Sequence, residues 1–232
     1  RGVQRILEEQ IVRGDPLSVG GWSYFYPDGA VFDRWPRASI TAWQVMALES
    51  ARLGGIEVPD AAFDRAADFL RGAWDQELGR FRYSHDPQRL RSGYATLPGS
   101  TPAALFALSL LGEDLGSPRW SDAVGFVSAC APEAYRWDGE RAFVERGSGN
   151  LYFWYYGSLA LLRRGGAPWE RWNVALKEAL PPAQEGDGSW PPLDVYGEYA
   201  GDDDRDRVYS TAMCVLSLEV YYRYFTPLLK VR

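Results

Sequence analysis

Carboxylates crowd a short segment near the end of the chain, where residues 201–206 read Gly-Asp-Asp-Asp-Arg-Asp. An acid that faces an enclosed cavity can donate a proton, and aromatic rings beside it can stabilise the resulting cation. Asp203, Asp204 and Asp206 are therefore the candidates for an acid catalyst. Cation binding is a second role for them, and capping of the next helix is a third, because carboxylates stabilise helix N-termini. Runs of charged residues usually lie in solvent, so the role favoured is capping of the next helix from a solvated acidic loop.

Aromatic and cationic side chains form a second candidate set, for binding. Residues 151–156 read Leu-Tyr-Phe-Trp-Tyr-Tyr, so on a helix some of the rings must face the middle of the fold and others its seams. The candidate ligand-binding residues are Trp35, Arg37, Tyr94, Arg146, Tyr152, Tyr155 and Tyr209. Pockets are usually apolar with a few convergent polar groups, and these residues would provide both. The alternative is that the rings fill a packed centre.

Several chemistries lack the residues that they need. The chain has one histidine, His85, and two cysteines, Cys130 and Cys214, without the spacing of a metal site or a disulfide framework. Motifs of nucleophilic hydrolases, phosphate-binding loops and zinc peptidases are missing. The net charge of -6 argues against nucleic acid as a partner. We therefore expect no metal and no cofactor, and a small molecule, peptide or protein as partner.

Two kinds of helix must position these residues. Segments of the first kind carry one apolar stripe, as Phe63, Ala66 and Leu70 do. Segments of the second kind are apolar on almost every face and are expected to be buried all round. They cover residues 40–53, 103–111, 151–162 and 208–225. Glycines at 54–55, 112 and 165–166 should end three of these helices.

The two kinds of helix alternate four times along the chain. Matching positions in the apolar helices are Thr41, Thr101, Tyr155 and Thr211, spaced by 60, 54 and 56 residues. The loops before them carry Trp22, Phe81, Trp137 and Trp190, spaced by 59, 56 and 53 residues. We predict an all-α fold of four helical hairpins in inner and outer layers. The inner, apolar helices should begin near Ser39, Ser100, Asn150 and Val208.

Long links gather at one end of this array. The connections from a striped helix to an apolar one include residues 28–37, 80–99, 138–149 and 187–207, and all must emerge at the same end. Long connections without secondary structure are unusual in compact domains and often carry function. The end defined by these four links, the long-loop end, is therefore where we expect a site.

One of these links contains a repeat motif. Residues 184–190 read Gln-Glu-Gly-Asp-Gly-Ser-Trp, which matches the Q-x-x-x-G-x-W repeat of squalene and oxidosqualene cyclases. Weaker copies lie at residues 76–81, Trp22 and Trp137. The chain thus resembles the prenyltransferase and squalene-cyclase superfamily, which implies an α/α toroid, here incomplete or small. We expect Gln184, Gly188 and Trp190 to form a structural clamp: Gln bonds carbonyls at a helix end, Gly allows a tight bend and Trp fills the seam between hairpins.

The resemblance implies chemistry that this chain does not match. Cyclases of the family use a D-x-D-D acid motif, which no register of residues 201–206 provides. Related protein prenyltransferases hold zinc through Asp, Cys and His, and neither cysteine here lies in a matching loop. We therefore expect a non-catalytic repeat domain that binds a peptide, glycan or protein partner at the long-loop end. The alternative is a terpene-cyclase-like or lyase-like enzyme that uses an acid from residues 202–206 and an aromatic-lined cavity.

The chain reads as a single domain over residues 1–232. It begins without Met, so we expect it to be a fragment of a longer chain. No run of about 18 apolar residues predicts a transmembrane helix. Neither the compartment nor the identity of the ligand follows from the sequence.

Overall fold

The computed structural model describes residues 1–24, 35–87, 90, 96–193 and 205–220. They divide between two compact units, Arg1–Leu115 and Gly116–Arg232. Within these residues the chain is mostly helical, with one two-stranded sheet, which confirms the predicted all-α class. No helix in the described ranges is both long enough and apolar enough to cross a membrane.

In the first unit, helices α1 (Gly2–Glu8), α2 (Ala38–Leu53), α3 (Asp60–Gly72) and α4 (Ser100–Leu110) follow in chain order. Strands β1 (Trp74–Asp75) and β2 (Arg80–Phe81) lie between α3 and α4. They pair antiparallel, with Trp74 opposite Phe81. Helix α2 packs extensively on α4 and also contacts α1 and α3, so the core of this unit lies around α2 and α4.

The second unit begins with a 3-10 turn, Pro118–Trp120, which the Ser117 side chain caps. Helices α5 (Ser121–Ala129), α6 (Glu140–Arg146), α7 (Leu151–Arg164), α8 (Gly166–Ala179) and α9 (Arg205–Glu219) follow. A second 3-10 turn, Pro181–Ala183, comes after α8. Helix α7 contacts α5, α8 and α9, so it forms the centre of this unit.

Helices α3 and α8 bury their apolar stripe, as predicted, whereas α1 has no buried residue. In α3 the buried residues include Phe63 and Leu70, two turns apart on one face. In α8 Trp169, Trp172 and Leu176 are buried in the same way. Burying one large apolar side chain contributes about 1.5–3 kcal/mol. Packing, more than intrinsic helix propensity, therefore holds these helices in place.

The apolar helices differ in burial. Residues 100–109 of α4 and almost all of α7 are buried. Helices α2 and α9, by contrast, leave Trp43 37% exposed, Val208 69% exposed and Val215 41% exposed. The prediction of burial on every face is therefore correct for α4 and α7 and wrong for α2 and α9. The helices packed against α2 and α9 leave one face of each uncovered, which periodicity alone does not reveal.

Helix boundaries follow the predicted signals. The four apolar helices begin at Ala38, Ser100, Leu151 and Arg205, within three residues of the predicted starts. Asn150 caps α7, because its Oδ1 accepts a hydrogen bond from the Phe153 N–H at 2.9 Å. Left-handed glycines end three of these helices, as predicted: Gly55, Gly112 and Gly165.

Two of the long links contain regular structure that the sequence pattern did not reveal. Residues 138–149 hold helix α6, which Gly139 and Gly147 bracket with positive φ. A Cβ at Gly147 would lie 2.7 Å from the Phe153 ring, so this turn requires glycine. The link at 80–99 begins with β2. Helix α6 has only 7 residues, too few for a helical period to stand out.

Candidate ligand-binding site

One recurring hydrogen bond ties the loops of the repeat to the apolar helices. A threonine hydroxyl on the helix accepts from the backbone N–H of the loop aromatic residue. The pairs are Trp22 with Thr41 at 3.2 Å, Phe81 with Thr101 at 3.1 Å, and Trp190 with Thr211 at 3.0 Å. The spacing of these same residues predicted the repeat. In three of the four repeats, the residues at matching positions are therefore joined by this hydrogen bond.

The clamp residues of the last repeat make contacts that differ from the predicted ones. Gln184 Nε2 donates to the Gly188 carbonyl at 2.9 Å, within the loop. The buried indole N–H of Trp190 donates to the Leu180 carbonyl at 2.8 Å, at the C-cap of α8. Tryptophan, rather than glutamine, therefore satisfies the exposed carbonyl at the helix end. Glutamine closes the turn, in which Gly188 has a φ of 89°.

The first repeat also has a glutamine that bonds a glycine carbonyl and a tryptophan that bonds a helix carbonyl. Its glutamine, Gln10, does not fit the spacing of the motif. Gln10 Nε2 donates to the Gly20 carbonyl at 3.0 Å, and the Trp22 indole donates to the Ile6 carbonyl of α1 at 2.8 Å. Gln10 also donates to the Ala62 carbonyl of α3 at 2.9 Å. The stretch from glutamine to glycine is 6 residues longer here than in the last repeat, which conceals the match.

In the second repeat an aspartate takes the place of the glutamine. Asp75 stands 4 residues before Gly79, the same distance as from glutamine to glycine in the last repeat. Its Oδ1 accepts the backbone N–H groups of Glu77 and Leu78, each at 3.1 Å. Gln76, the residue predicted for this role, is exposed. The turn of this copy is therefore held by a carboxylate that accepts N–H groups, whereas the last repeat uses an amide that donates to a carbonyl.

The third repeat lacks the threonine tie. Tyr155 stands at the matching helix position, where it is buried with its ring 5.1 Å from that of Tyr156. Trp137, the matching loop residue, is 40% exposed, and its ring lies 5.4 Å from that of Phe143 in α6. This link therefore adopts a geometry of its own.

Asp138 organises the third link. Its Oδ2 accepts from Ser148 Oγ at 2.6 Å and its Oδ1 accepts from Arg136 Nε at 2.7 Å. The hydrogen bond from Ser148, followed by that from Arg136, lowers the pKa of Asp138 below its ordinary value, so the carboxylate is charged at neutral pH. Asp138 precedes α6 and Ser148 follows it, so this contact closes the link across the helix.

A small pocket opens at this link in the second unit. Its volume is about 60 Å³. Its walls are Cys130 at the end of α5, Pro132 and Glu133 after it, Arg146 and Ser148 at the end of α6, and Trp154 in the first turns of α7. We call it the loop-end pocket.

Trp154 and Arg146 are the lining residues of the loop-end pocket with donor-only side chains. Trp154 is 1% exposed, and its buried indole nitrogen makes no hydrogen bond. Its ring packs against Tyr135, whose hydroxyl donates to the Pro191 carbonyl at 2.6 Å. Arg146 is exposed and forms no ion pair with any residue in the described ranges. The Trp154 nitrogen is enclosed, so the exposed Arg146 guanidinium is the donor of the two that a ligand in this pocket can reach.

Arg37 is the buried member of the predicted ligand-binding set in the first unit. Its Nη1 donates to the Trp35 carbonyl and to Ser84 Oγ, the latter at 3.4 Å. Its guanidinium lies 5.7 Å from the centre of the Tyr83 ring, a cation–π contact. Trp35 is partly exposed. Arg37 and Trp35 thus lie together near Tyr83, and their contact with a ligand stays a prediction.

The predicted binding residues of the second unit are spread over several helices. Tyr152 is partly exposed, with its ring 4.8 Å from that of Tyr156, and Tyr209 is partly exposed on α9. Of the predicted set, Arg146 lines the loop-end pocket. Its neighbour there, Trp154, had no distinguishing signal within the run of rings. Tyr94 lies outside the described residues.

The acidic candidates fall at the edge of the described ranges. Asp203 and Asp204 lie outside them. Asp206 belongs to the first turn of α9, which begins at Arg205, and its side chain also lies outside the description. Proton donation, cation binding and capping by these residues all stay predictions.

Burial keeps the Cys214 thiol and the His85 imidazole uncharged at neutral pH. Neither Cys130 nor Cys214 is in a disulfide. Burial raises the pKa of Cys214 to about 12, so this thiol keeps its proton at neutral pH. Burial, and then the charge of Arg82, lowers the pKa of His85, so its imidazole is neutral. In the described ranges, no three His, Cys, Asp or Glu side chains are grouped so that they could hold a metal ion.

Comparison with known proteins leaves the family open. No model of a protein family and no curated protein sequence matches this chain. The likeness to squalene-cyclase repeats therefore rests on the repeat spacing and on the glutamine, glycine and tryptophan residues of the clamp.

Proposed function

We propose that this chain is a repeat domain of the squalene-cyclase type, an incomplete or small α/α toroid, that binds a peptide segment of a partner protein at its long-loop end without catalysis. The ties at Thr41, Thr101 and Thr211 support the repeat, since each holds the loop before an apolar helix against that helix. Loops held on a rigid frame lose little freedom on binding, which favours recognition.

The loop-end pocket is the observation that carries this proposal. It lies on the connection from α5 to α7, one of the links at which the sequence predicted a site. It offers the Arg146 guanidinium, which forms no ion pair with any residue in the described ranges. A peptide supplies acceptors in its carbonyl and carboxylate groups. A neutral glycan brings no negative charge for Arg146, so a peptide matches this pocket better.

The reactive side chains of the described ranges favour binding over catalysis. Nucleophilic catalysis needs a thiolate, or a base within hydrogen-bond reach of the nucleophile. The Cys214 thiol is buried with a pKa of about 12. His85 is neutral, and its enclosed Nε2 has no hydrogen-bond partner. Neither residue therefore meets the requirement.

Arrays of peptides and of glycans, probed with the purified chain, test the proposal. The expected result is saturable binding to a subset of peptides, which isothermal titration calorimetry then measures in solution. Arg146→Ala should weaken this binding at least about tenfold. Arg141→Ala removes an exposed charge on the same helix, paired with Glu145, and should leave binding unchanged. Binding to glycans alone, or to neither array, would contradict peptide recognition.

A further inference from the structure

The loop between α5 and α7 folds back on itself and closes at its base. Asp138, just before α6, accepts a hydrogen bond at 2.6 Å from Ser148 Oγ, just after α6. A Cβ at Gly149 would lie 3.0 Å from the Arg136 carbonyl, so the backbone also meets itself at this base. A compact surface loop whose ends lie close together is an Ω-loop, and such loops often carry function. We call residues 138–148 the flap and the contact of Asp138 with Ser148 its clasp.

Few side chains attach the flap to the rest of the unit. Ala142 and Phe143 are the buried residues of α6, and the other residues of this helix are exposed or half-buried. The Phe143 ring lies 5.4 Å from that of Trp137, which directly precedes the flap. In the described ranges, no other helix or strand packs extensively on α6. A segment with so little buried apolar surface opens at a lower cost in free energy than the core does.

Glycines flank α6 at both of its ends. Gly139 has a φ of 92° and Gly147 a φ of 66°. Glycine passes between backbone conformations at little steric cost, so these two residues can absorb a change in the orientation of α6. Gly147 lies against the ring of Phe153, which is fully buried in α7. The flap therefore has a joint at each end and a fixed support beneath one of them.

One wall of the loop-end pocket belongs to the flap. Arg146 and Ser148 are flap residues, whereas Cys130 and Pro132 belong to the connection that follows α5. The pocket has a volume of about 60 Å³, whereas sites for small molecules usually enclose about 300–1,000 Å³. A group of more than a few atoms therefore enters only if a wall moves. The flap, with a glycine joint at each end and one clasp at its base, is the wall built to do so.

We propose that the flap is a lid of the loop-end pocket, which the Asp138 clasp holds closed and which opens as one unit about Gly139 and Gly147. In the closed state Asp138 also accepts from Arg136 Nε at 2.7 Å, which fixes the carboxylate from a second side. Joining the two ends of a loop restricts its conformations, so loss of the clasp favours the open state. This device goes beyond the proposed function and needs no ligand, so its test is independent of whether a peptide binds.

Hydrogen exchange of the full chain, measured by mass spectrometry of its peptides, tests the lid. Amides of residues 140–148 should exchange faster than those of α7. Asp138→Ala should speed exchange in the flap about tenfold and leave exchange in α7 unchanged. Ser148→Ala removes the same hydrogen bond and should act in the same direction. Arg141→Gln breaks an exposed pair with Glu145 inside α6 and is the matched control, which should stay within about twofold of the wild type.

Alkylation of Cys130 by iodoacetamide reports access to the pocket. This thiol is half-buried in the pocket wall, and in Asp138→Ala it should react several-fold faster than in the wild type. Cys214 is buried and keeps its proton, so it should stay unlabelled in both proteins as long as the chain is folded. Mass spectrometry of the digested protein separates the two thiols.

Four results would overturn the lid. They are flap amides that exchange as slowly as those of α7, no change of exchange in Asp138→Ala, an equal acceleration in Arg141→Gln, and an acceleration in Asp138→Ala that extends to α7 and to labelling of Cys214. Faster exchange of the flap without faster labelling of Cys130 would overturn its control of the pocket. If Asp138→Ala fails to fold, Ser148→Ala decides, because it removes the clasp and leaves the Asp138 contact with Arg136 in place.

Discussion

The hydroxyl of Thr101 accepts a hydrogen bond from the backbone N–H of Phe81 at 3.1 Å and so joins β2 to the first turn of α4. Both residues are buried, and they lie 20 residues apart in the chain. The same bond recurs at Thr41 and Thr211. A buried N–H that loses its acceptor costs about 1–3 kcal/mol. In each of these three repeats, one hydroxyl therefore ties the loop directly to the helix that follows it.

Replacing Thr101 by Val should lower the free energy of unfolding by about 1–3 kcal/mol. Valine keeps the shape of threonine but has no oxygen, so the Phe81 N–H is left without an acceptor. Urea unfolding followed by circular dichroism measures the loss. Thr101→Ser retains the hydroxyl and should lose less. Equal losses for valine and serine would assign the effect to packing.

The two clamp glutamines should differ in their contribution to stability. Gln10 is buried and donates to the carbonyls of Gly20 and Ala62, so Gln10→Ala should lower the free energy of unfolding by about 1–3 kcal/mol. Gln184 is exposed and water can replace its bond to Gly188, so Gln184→Ala should stay within about 0.5 kcal/mol of the wild type. Urea unfolding of both variants checks the contrast, which equal losses would contradict.

Replacing each of two helical glycines by alanine should change the free energy of unfolding in opposite directions. A Cβ at Gly157 of α7 would lie 2.5 Å from the Trp172 ring. That ring is fixed in place, because its indole N–H donates to Ser158 Oγ at 2.9 Å. Gly157→Ala should therefore destabilise the chain by about 1–3 kcal/mol. Gly125 of α5 faces open space, so Gly125→Ala should stabilise it by about 0.5–1 kcal/mol. Stabilisation by both variants in urea unfolding would mean that Trp172 moves aside.

Cys214 should make stability fall at alkaline pH. Burial raises the pKa of this thiol from 9.0 to about 12 in the folded chain. Above about pH 9 the unfolded chain loses the thiol proton while the folded chain keeps it. The contribution of Cys214 to the free energy of unfolding is therefore complete below about pH 9 and declines as the pH rises to about 12. The free energy of unfolding, taken relative to Cys214→Ala, should be lower near about pH 10.5 than near about pH 8. A constant difference between the two proteins would contradict this.

Local patterns in the sequence were enough to place the longer helices, although they did not reveal α6. The stripe from Phe63 to Leu70 predicted α3, and Asn150 marked the start of α7, because both signals act within one or two turns. The spacing of Thr101 and Thr211 even pointed to residues that hold the loops, although it did not predict the hydrogen bond itself.

Contacts between distant residues decided the clamps. Gln10 donates to the Ala62 carbonyl, 52 residues away in the chain. A short sequence motif cannot reveal a contact between residues so far apart. In the second repeat it is Asp75, one residue before Gln76, whose carboxylate accepts the backbone N–H groups of the turn. Exposure of Val208 on α9 likewise depends on which helices pack against it.

Some features of the loop-end pocket were predictable from the sequence, and others depend on how the helices pack. The pattern of helices and loops predicted a site on the long links and named Arg146, which lines this pocket, as a candidate binding residue. Trp154 was one ring in a run of five, and nothing in that run distinguishes it. Successive residues of a helix point about 100° apart, so the packing of α5 and α6 around α7 determines which ring meets the pocket. That packing leaves the Trp154 indole nitrogen buried in the pocket wall without an acceptor, while Tyr155 packs in the core.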